Sequence, residues 1–127
     1  MAEAATILII EDDALTAESI ETLCREMGHM PLVAYDGTTG LKMAAEVRPK
    51  LILSDIAMPG LDGFEVARRV RSNHDLDATK IVAVTAHPPR TPARNQATFD
   101  EYVLKPFTIE NLEEVIERFT SDSKAAD

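Results

Sequence analysis

Several things are scarce in this chain, and each scarcity excludes something. Its 127 residues contain one cysteine, Cys24, which rules out an internal disulfide and a multi-cysteine metal site and leaves core packing as its role. No apolar run approaches the roughly 20 residues that a membrane-spanning helix needs. The opening "MAEAATILII" has no basic stretch ahead of its short apolar run, so it does not read as a signal peptide, and the expected location is the cytoplasm. Positive charge is also in deficit, with 13 Lys and Arg against 22 Asp and Glu for a net charge of −9. Electrostatic attraction to a nucleic-acid backbone or an anionic membrane is therefore not expected, and neither is a direct partner of either kind. Repeats and linkers are lacking too, so the length fits one domain with a sizeable core.

What is present alternates between two periods. "TILII" (6–10), "LILS" (51–54) and "IVAV" (81–84) are nearly continuous apolar runs, the pattern of central parallel strands covered on both faces. "HMPLVAY" contains Pro31, which a central strand does not tolerate, and is placed at a sheet edge. "EYVLK" (101–105) makes a fifth strand. Between them run helical stripes: Ala17, Ile20, Cys24 and Met27; Leu41, Ala44 and Ala45; Phe64, Ala67 and Val70; Leu112, Val115, Ile116 and Phe119. Asp13, Asp36, Asp62 and Thr108 stand where N-caps belong, while Gly28 and Pro49 follow two of the stripes. Strand and helix in alternation predict an α/β fold with a doubly wound, five-stranded parallel sheet. The domain is expected over 1–121, with 122–127 a polar C-terminal tail.

In such sheets a ligand site lies beyond the carboxyl ends of the strands, where strand order reverses. Glu11, Asp12 and Asp13 follow the first strand, Asp55 the third, Thr85 the fourth, and Lys105 with Pro106 the fifth. Each alone has a structural explanation: a helix cap for Asp13, β-propensity for Thr85, a loop for Lys105. Together they place several carboxylates, a hydroxyl and an ammonium at one edge. Crowded carboxylates repel unless a cation joins them, and their oxygens suit a hard divalent ion such as Mg2+. His29 and His74 read as solvated loop residues, and Arg68, Arg69 and Arg71 as a solvated helix face balanced by the acidic last helix.

"ILIIEDD", "LILSDIAMPGLDGFEVARRVR", "IVAVTAH" and "YVLKPF" together resemble the receiver domain of bacterial two-component response regulators, over essentially the whole chain. The resemblance implies the flavodoxin-like strand order 2-1-3-4-5. It implies that Asp55 accepts a phosphoryl group from a sensor histidine kinase or a histidine phosphotransfer protein. It makes Asp12 a direct Mg2+ ligand, Glu11 a ligand through water and Ala57 a ligand through its backbone carbonyl. Lys105 and Thr85 would contact phosphoryl oxygens, and Thr85 with Tyr102 would form the conformational switch read by a downstream protein partner. A cis Lys105–Pro106 bond would aim the ammonium inward. Ala57 and His87 would border the path of the hydrolysing water. The chain would be a phosphoacceptor signalling protein, catalysing only its own phosphorylation and dephosphorylation, and a stand-alone receiver.

One stretch departs from that family. "TAHPPRTPARNQATFDEY" (85–102) is about two residues short and carries Pro88, Pro89 and Pro92, so the fourth helix is expected to be short or atypical, starting near Thr91 and anchored by Ala93, Ala97 and Phe99. Residues 86–99 are accordingly expected to be poorly protected and to order on phosphorylation. The competing readings are a receiver fragment of a larger regulator, a pseudo-receiver that is not phosphorylated, a small Mg2+-dependent phosphatase, and a flavin carrier. Against the last, the first turn holds acids where a phosphate cradle needs backbone donors.

Overall fold

In the computed structural model, residues 4–86 and 99–121 are described. Five parallel strands form one sheet: β1 (Thr6–Ile10), β2 (Met30–Ala34), β3 (Leu51–Ser54), β4 (Lys80–Thr85) and β5 (Glu101–Leu104), in the order β2-β1-β3-β4-β5. Four α-helices are described, α1 (Ala14–Glu26), α2 (Gly37–Val47), α3 (Gly63–Arg71) and α4 (Ile109–Thr120), with a single 3-10 turn at His74–Leu76. The expected short helix after β4, its cap Thr91 and its prolines fall at 87–98, outside the described residues, as do His87 and the tail from residue 122.

The helices begin where their caps dictate. Asp13, Asp36, Asp62 and Thr108 each accept the backbone N–H three residues on, at 2.7 to 3.0 Å, satisfying donors that a helix start leaves free. Helix α1 closes at Met27, and Gly28 takes the left-handed backbone (φ 89°) that turns the chain into β2.

The period-2 alternation of the strands sorts side chains onto two cores. Ile7, Ile9, Leu53, Val82, Val84 and Val103 meet Ile20, Cys24, Leu112 and Ile116 from α1 and α4. On the other face Leu8, Ile10, Ile52, Ile81 and Ala83 meet Ala44, Val66, Ala67 and Val70 from α2 and α3, together with Phe99. Cys24 is fully buried, and burial pushes its thiol up to about 12, in keeping with a packing role. Pro31 sits on β2, an edge strand.

Three expectations are corrected. Ala45 is exposed; the inward face of α2 is instead Gly37, Gly40 and Ala44, because a Cβ at Gly40 would stand 2.5 Å from the Ile10 side chain, and only glycine lets this helix lie so close to the sheet. His29 is not a solvated loop residue: it is 7% exposed, and its Nδ1 accepts the Ala5 N–H at 3.1 Å. The arginines are not balanced by the last helix. Arg68 and Arg69 pair with Glu65 on their own helix, and Arg71 donates to the Thr79 carbonyl and approaches Asp100 at 3.8 Å. His74 is exposed, as expected. No helix among the described residues is long and apolar enough to cross a membrane.

Candidate functional site

The sheet ladder continues one residue past β1 and β3, and this fixes the backbones of two acids. The Glu11 N–H donates to the Ala34 carbonyl at 3.0 Å and the Asp55 N–H to the Ile10 carbonyl at 2.9 Å. Glu11 is 2% exposed and Asp55 7%, whereas Asp12 faces solvent. One carboxylate oxygen from each of the three lies within 4.8 Å of the others.

Lys105 reaches this group from the far side of the sheet. Its N–H donates to the Thr85 carbonyl at 2.9 Å, the Lys105–Pro106 bond is cis, and its ammonium donates to Glu11 Oε1 at 2.8 Å and Asp55 Oδ2 at 3.3 Å. Burial opposes the charge on Lys105, but hydrogen bonding and attraction from Glu11, and then from Asp55, outweigh it and hold its pKa above the ordinary lysine value. Glu11 is pushed up from the usual carboxylate value, chiefly by burial, against the bond from Lys105. The other oxygens are occupied too: Glu11 Oε2 accepts the Asp13 N–H at 3.0 Å, and Asp55 Oδ1 accepts the Ile56 N–H at 2.7 Å.

Among the described residues, three carboxylates therefore face one ammonium, a net negative site. The donor set found among the described residues fits a hard divalent cation: carboxylate oxygens from Glu11, Asp12 and Asp55. Ala57 lies exposed in the loop two residues past Asp55. Thr85 ends β4 fully buried, in register with Leu104. Tyr102 is half-buried on β5 in register with Ala83, so by strand alternation Thr85, Ala83 and Tyr102 lie on the same face of neighbouring strands. Ala86, next along, is exposed.

Gly63 was not singled out by the sequence. It opens α3, its N–H donates to the Ile56 carbonyl at 2.8 Å, and a Cβ there would stand 2.2 Å from the Asp55 carbonyl oxygen and 2.6 Å from the Ile56 Cα. The helix start thus rests directly on the backbone that carries Asp55. The available signal is its place directly after the N-cap Asp62.

Comparison with known proteins gives a consistent result. The profile of the response regulator receiver domain matches residues 7–117. The transcriptional regulatory protein AfsQ1 of Streptomyces coelicolor is 37% identical over 110 residues, 80% of this chain and 44% of AfsQ1, so the chain spans less than half the length of that relative. Among solved structures, the receiver domain of the Pseudomonas aeruginosa sensor histidine kinase PA1611, with a magnesium ion coordinated in its active-site cleft, superposes with a TM-score of 0.84 at 28% identity, covering 93% of this chain and 98% of that one. The Thermotoga maritima response regulator TrrA, in complex with Mg(2+)-BeF, gives 0.81 at 29% identity, covering 90% and 97%.

Proposed function

Because this chain belongs to the response regulator receiver domain family, we propose that it is a phosphorylation-switched signalling protein in which Asp55 takes a phosphoryl group from the phosphohistidine of a sensor histidine kinase or histidine phosphotransfer protein. The observation that carries this is the convergence of Asp55, Glu11, Asp12 and Lys105 at one sheet edge, three negative charges against one positive among the described residues.

An Asp55 carboxylate oxygen attacks phosphorus and forms the O–P bond as the N–P bond of the donor breaks; the electron pair leaves with the imidazole. Asp55 is held for this by the Ile56 N–H on Oδ1 and by its own N–H in the sheet ladder. Lys105 exchanges its bond to Asp55 for one to a phosphoryl oxygen, a charge-assisted bond that keeps the ammonium in place. Glu11, Asp12 and Asp55 would hold a Mg2+ ion, with Ala57 contributing its backbone carbonyl; when bound, that ion neutralises charge on the transferring group. Thr85 and Tyr102 relay the event: the Thr85 hydroxyl bonds the phosphoryl group, Tyr102 moves toward the space left beside Ala83, and a protein partner reads the altered surface. The chain turns over no separate substrate, and the cytoplasm, where phosphohistidine donors of this kind act, is its place of work.

Intact mass before and after acetyl phosphate with Mg2+ tests the reading. A gain of one phosphoryl group is expected for the wild type and none for Asp55→Ala; labelling of Asp55→Ala at the wild-type rate would overturn it.

A further inference from the structure

Three aromatic rings form a row beneath the site. Phe64, the second residue of α3, meets Phe99 edge-on with centroids 5.9 Å apart, and Phe99 meets Tyr102 at 5.3 Å and 59°. Phe99 is 4% exposed, while Phe64 and Tyr102 are partly buried against the same core. The row begins one residue after Gly63, which rests on the Asp55 backbone, and ends on the tyrosine of the proposed switch.

The position of Phe99 gives the row a direction. Thr85 pairs with Leu104, two residues toward the carboxyl end of β5 from Tyr102, whereas Phe99 precedes β5 and lies three residues toward the other end. Travel of Tyr102 toward Thr85 therefore takes it off the ring of Phe99, which keeps its edge contact with Phe64. Asp100 also fixes the chain there: its N–H donates to the Ile81 carbonyl at 2.8 Å and its Oδ2 accepts the Ile81 N–H at 2.8 Å.

We infer that Phe99 is a positioning residue for Tyr102: braced by Phe64, it holds the tyrosine away from Thr85 and so sets how strongly a phosphoryl group must pull before the switch moves. This rests on the phosphoacceptor reading and adds a threshold to it. An aromatic pair contributes enough to shift a two-state equilibrium roughly two- to tenfold. Loss of the ring lowers the threshold by that factor.

The chain has two tyrosines and no tryptophan, so a Tyr35→Phe background leaves Tyr102 as the one intrinsic fluorophore. In that background, beryllofluoride with Mg2+ is titrated as the phosphoryl stand-in and Tyr102 emission is followed. Phe99→Ala is expected to bind beryllofluoride about two- to tenfold more tightly, with Mg2+ affinity measured alone unchanged, and Phe99→Tyr, which keeps a ring and is titrated by calorimetry because it adds a second tyrosine, to restore the parent value. Val103→Ala opens a cavity on the opposite face of the same strand and is expected to leave the affinity unchanged. Equal affinity in Phe99→Ala and its parent overturns the inference, and so does an equal gain in Val103→Ala. If Phe99→Ala does not fold, Phe64→Ala decides: tighter binding supports the brace and unchanged binding overturns it. Absence of beryllofluoride binding in the parent overturns the phosphoacceptor reading itself, and this inference with it.

Discussion

The two ends of the sheet bury polar groups by opposite rules. At the amino end each is matched: Ala5 N–H with His29 Nδ1, the Thr79 hydroxyl with the Pro49 carbonyl at 2.7 Å, the Thr79 carbonyl with Arg71, and the Ile81 N–H with Asp100. At the carboxyl end Glu11, Asp12 and Asp55 crowd together, and among the described residues Lys105 is the cation that pairs with them. Among the described residues, no buried side-chain nitrogen or oxygen lacks a hydrogen-bond partner, so the ends differ in charge balance and not in satisfaction. A matched group contributes to stability; an excess of one sign is a cost the fold carries for a ligand.

The largest break in that contrast is expected at the carboxyl end. Chelation of Mg2+ should reduce acetyl-phosphate labelling of Asp55 by roughly a hundredfold or more, since several kcal/mol of charge stabilisation are lost with the metal, while the urea midpoint in metal-free buffer identifies the same folded protein. Unimpaired labelling in excess chelator would remove the metal from the proposed chemistry. At the amino end the same kind of removal should act on stability instead. His29→Ala strands the Ala5 N–H and should lower unfolding free energy by about 1–3 kcal/mol in a denaturant titration, with labelling of Asp55 unaffected once the protein is folded. A loss of labelling with unchanged stability would erase the distinction between the two ends.

His29 also sharpens the contrast through pH. Burial holds its folded-state pKa below the ordinary value of 6.5, so the unfolded chain binds the proton more readily. Its contribution is therefore fully present above about pH 6.5 and declines as pH falls toward the lower folded-state value. Comparing denaturant midpoints of the parent and His29→Ala between pH 7.5 and 5 should show the gap narrowing on acidification; a gap that widens would contradict the assignment of a neutral, Nδ1-accepting imidazole. The smallest effect is expected from Asp12→Asn. Removal of one exposed like charge should raise metal-free stability by a few tenths of a kcal/mol while weakening Mg2+ binding, whereas a loss of stability would mean that the acids are not in mutual repulsion.

The fold was legible because its signals are local. Apolar runs marked the central strands, Pro31 marked an edge, and four side chains marked the helix starts, each needing only neighbours within a turn or a strand. The gathering of Glu11, Asp12, Asp55 and Lys105 was legible as well, because parallel strands deliver their following residues to one end. What escaped depends on contacts across the chain. The His29 partner lies 24 residues away at Ala5, and a histidine after a helix-ending glycine looks the same whether or not that N–H awaits it. Arg71 sits in a basic triplet, yet it alone turns to Thr79 and Asp100 because the 3-10 turn at His74–Leu76 brings the start of β4 under the end of α3. Ala45 and Gly40 share the composition of a helical stripe, and only the distance to Ile10 decides which faces inward. Gly63 adopts no left-handed backbone, so nothing in its local conformation demands glycine.

The edge strand β2 has a consequence beyond the architecture. Met30 donates to Ala5 and Ala34 accepts from Glu11, both toward β1, so by alternation residues 31 and 33 turn their backbone polar groups outward. The first of these is Pro31, which has no N–H to offer. A foreign strand approaching this margin finds a single outward donor within β2, at Val33, and a pyrrolidine ring where the next should be. Strand-by-strand growth into fibres or sheet-to-sheet dimers is thereby discouraged on this side of the molecule. One imino acid thus guards this margin of the sheet against pairing with a second copy of the chain.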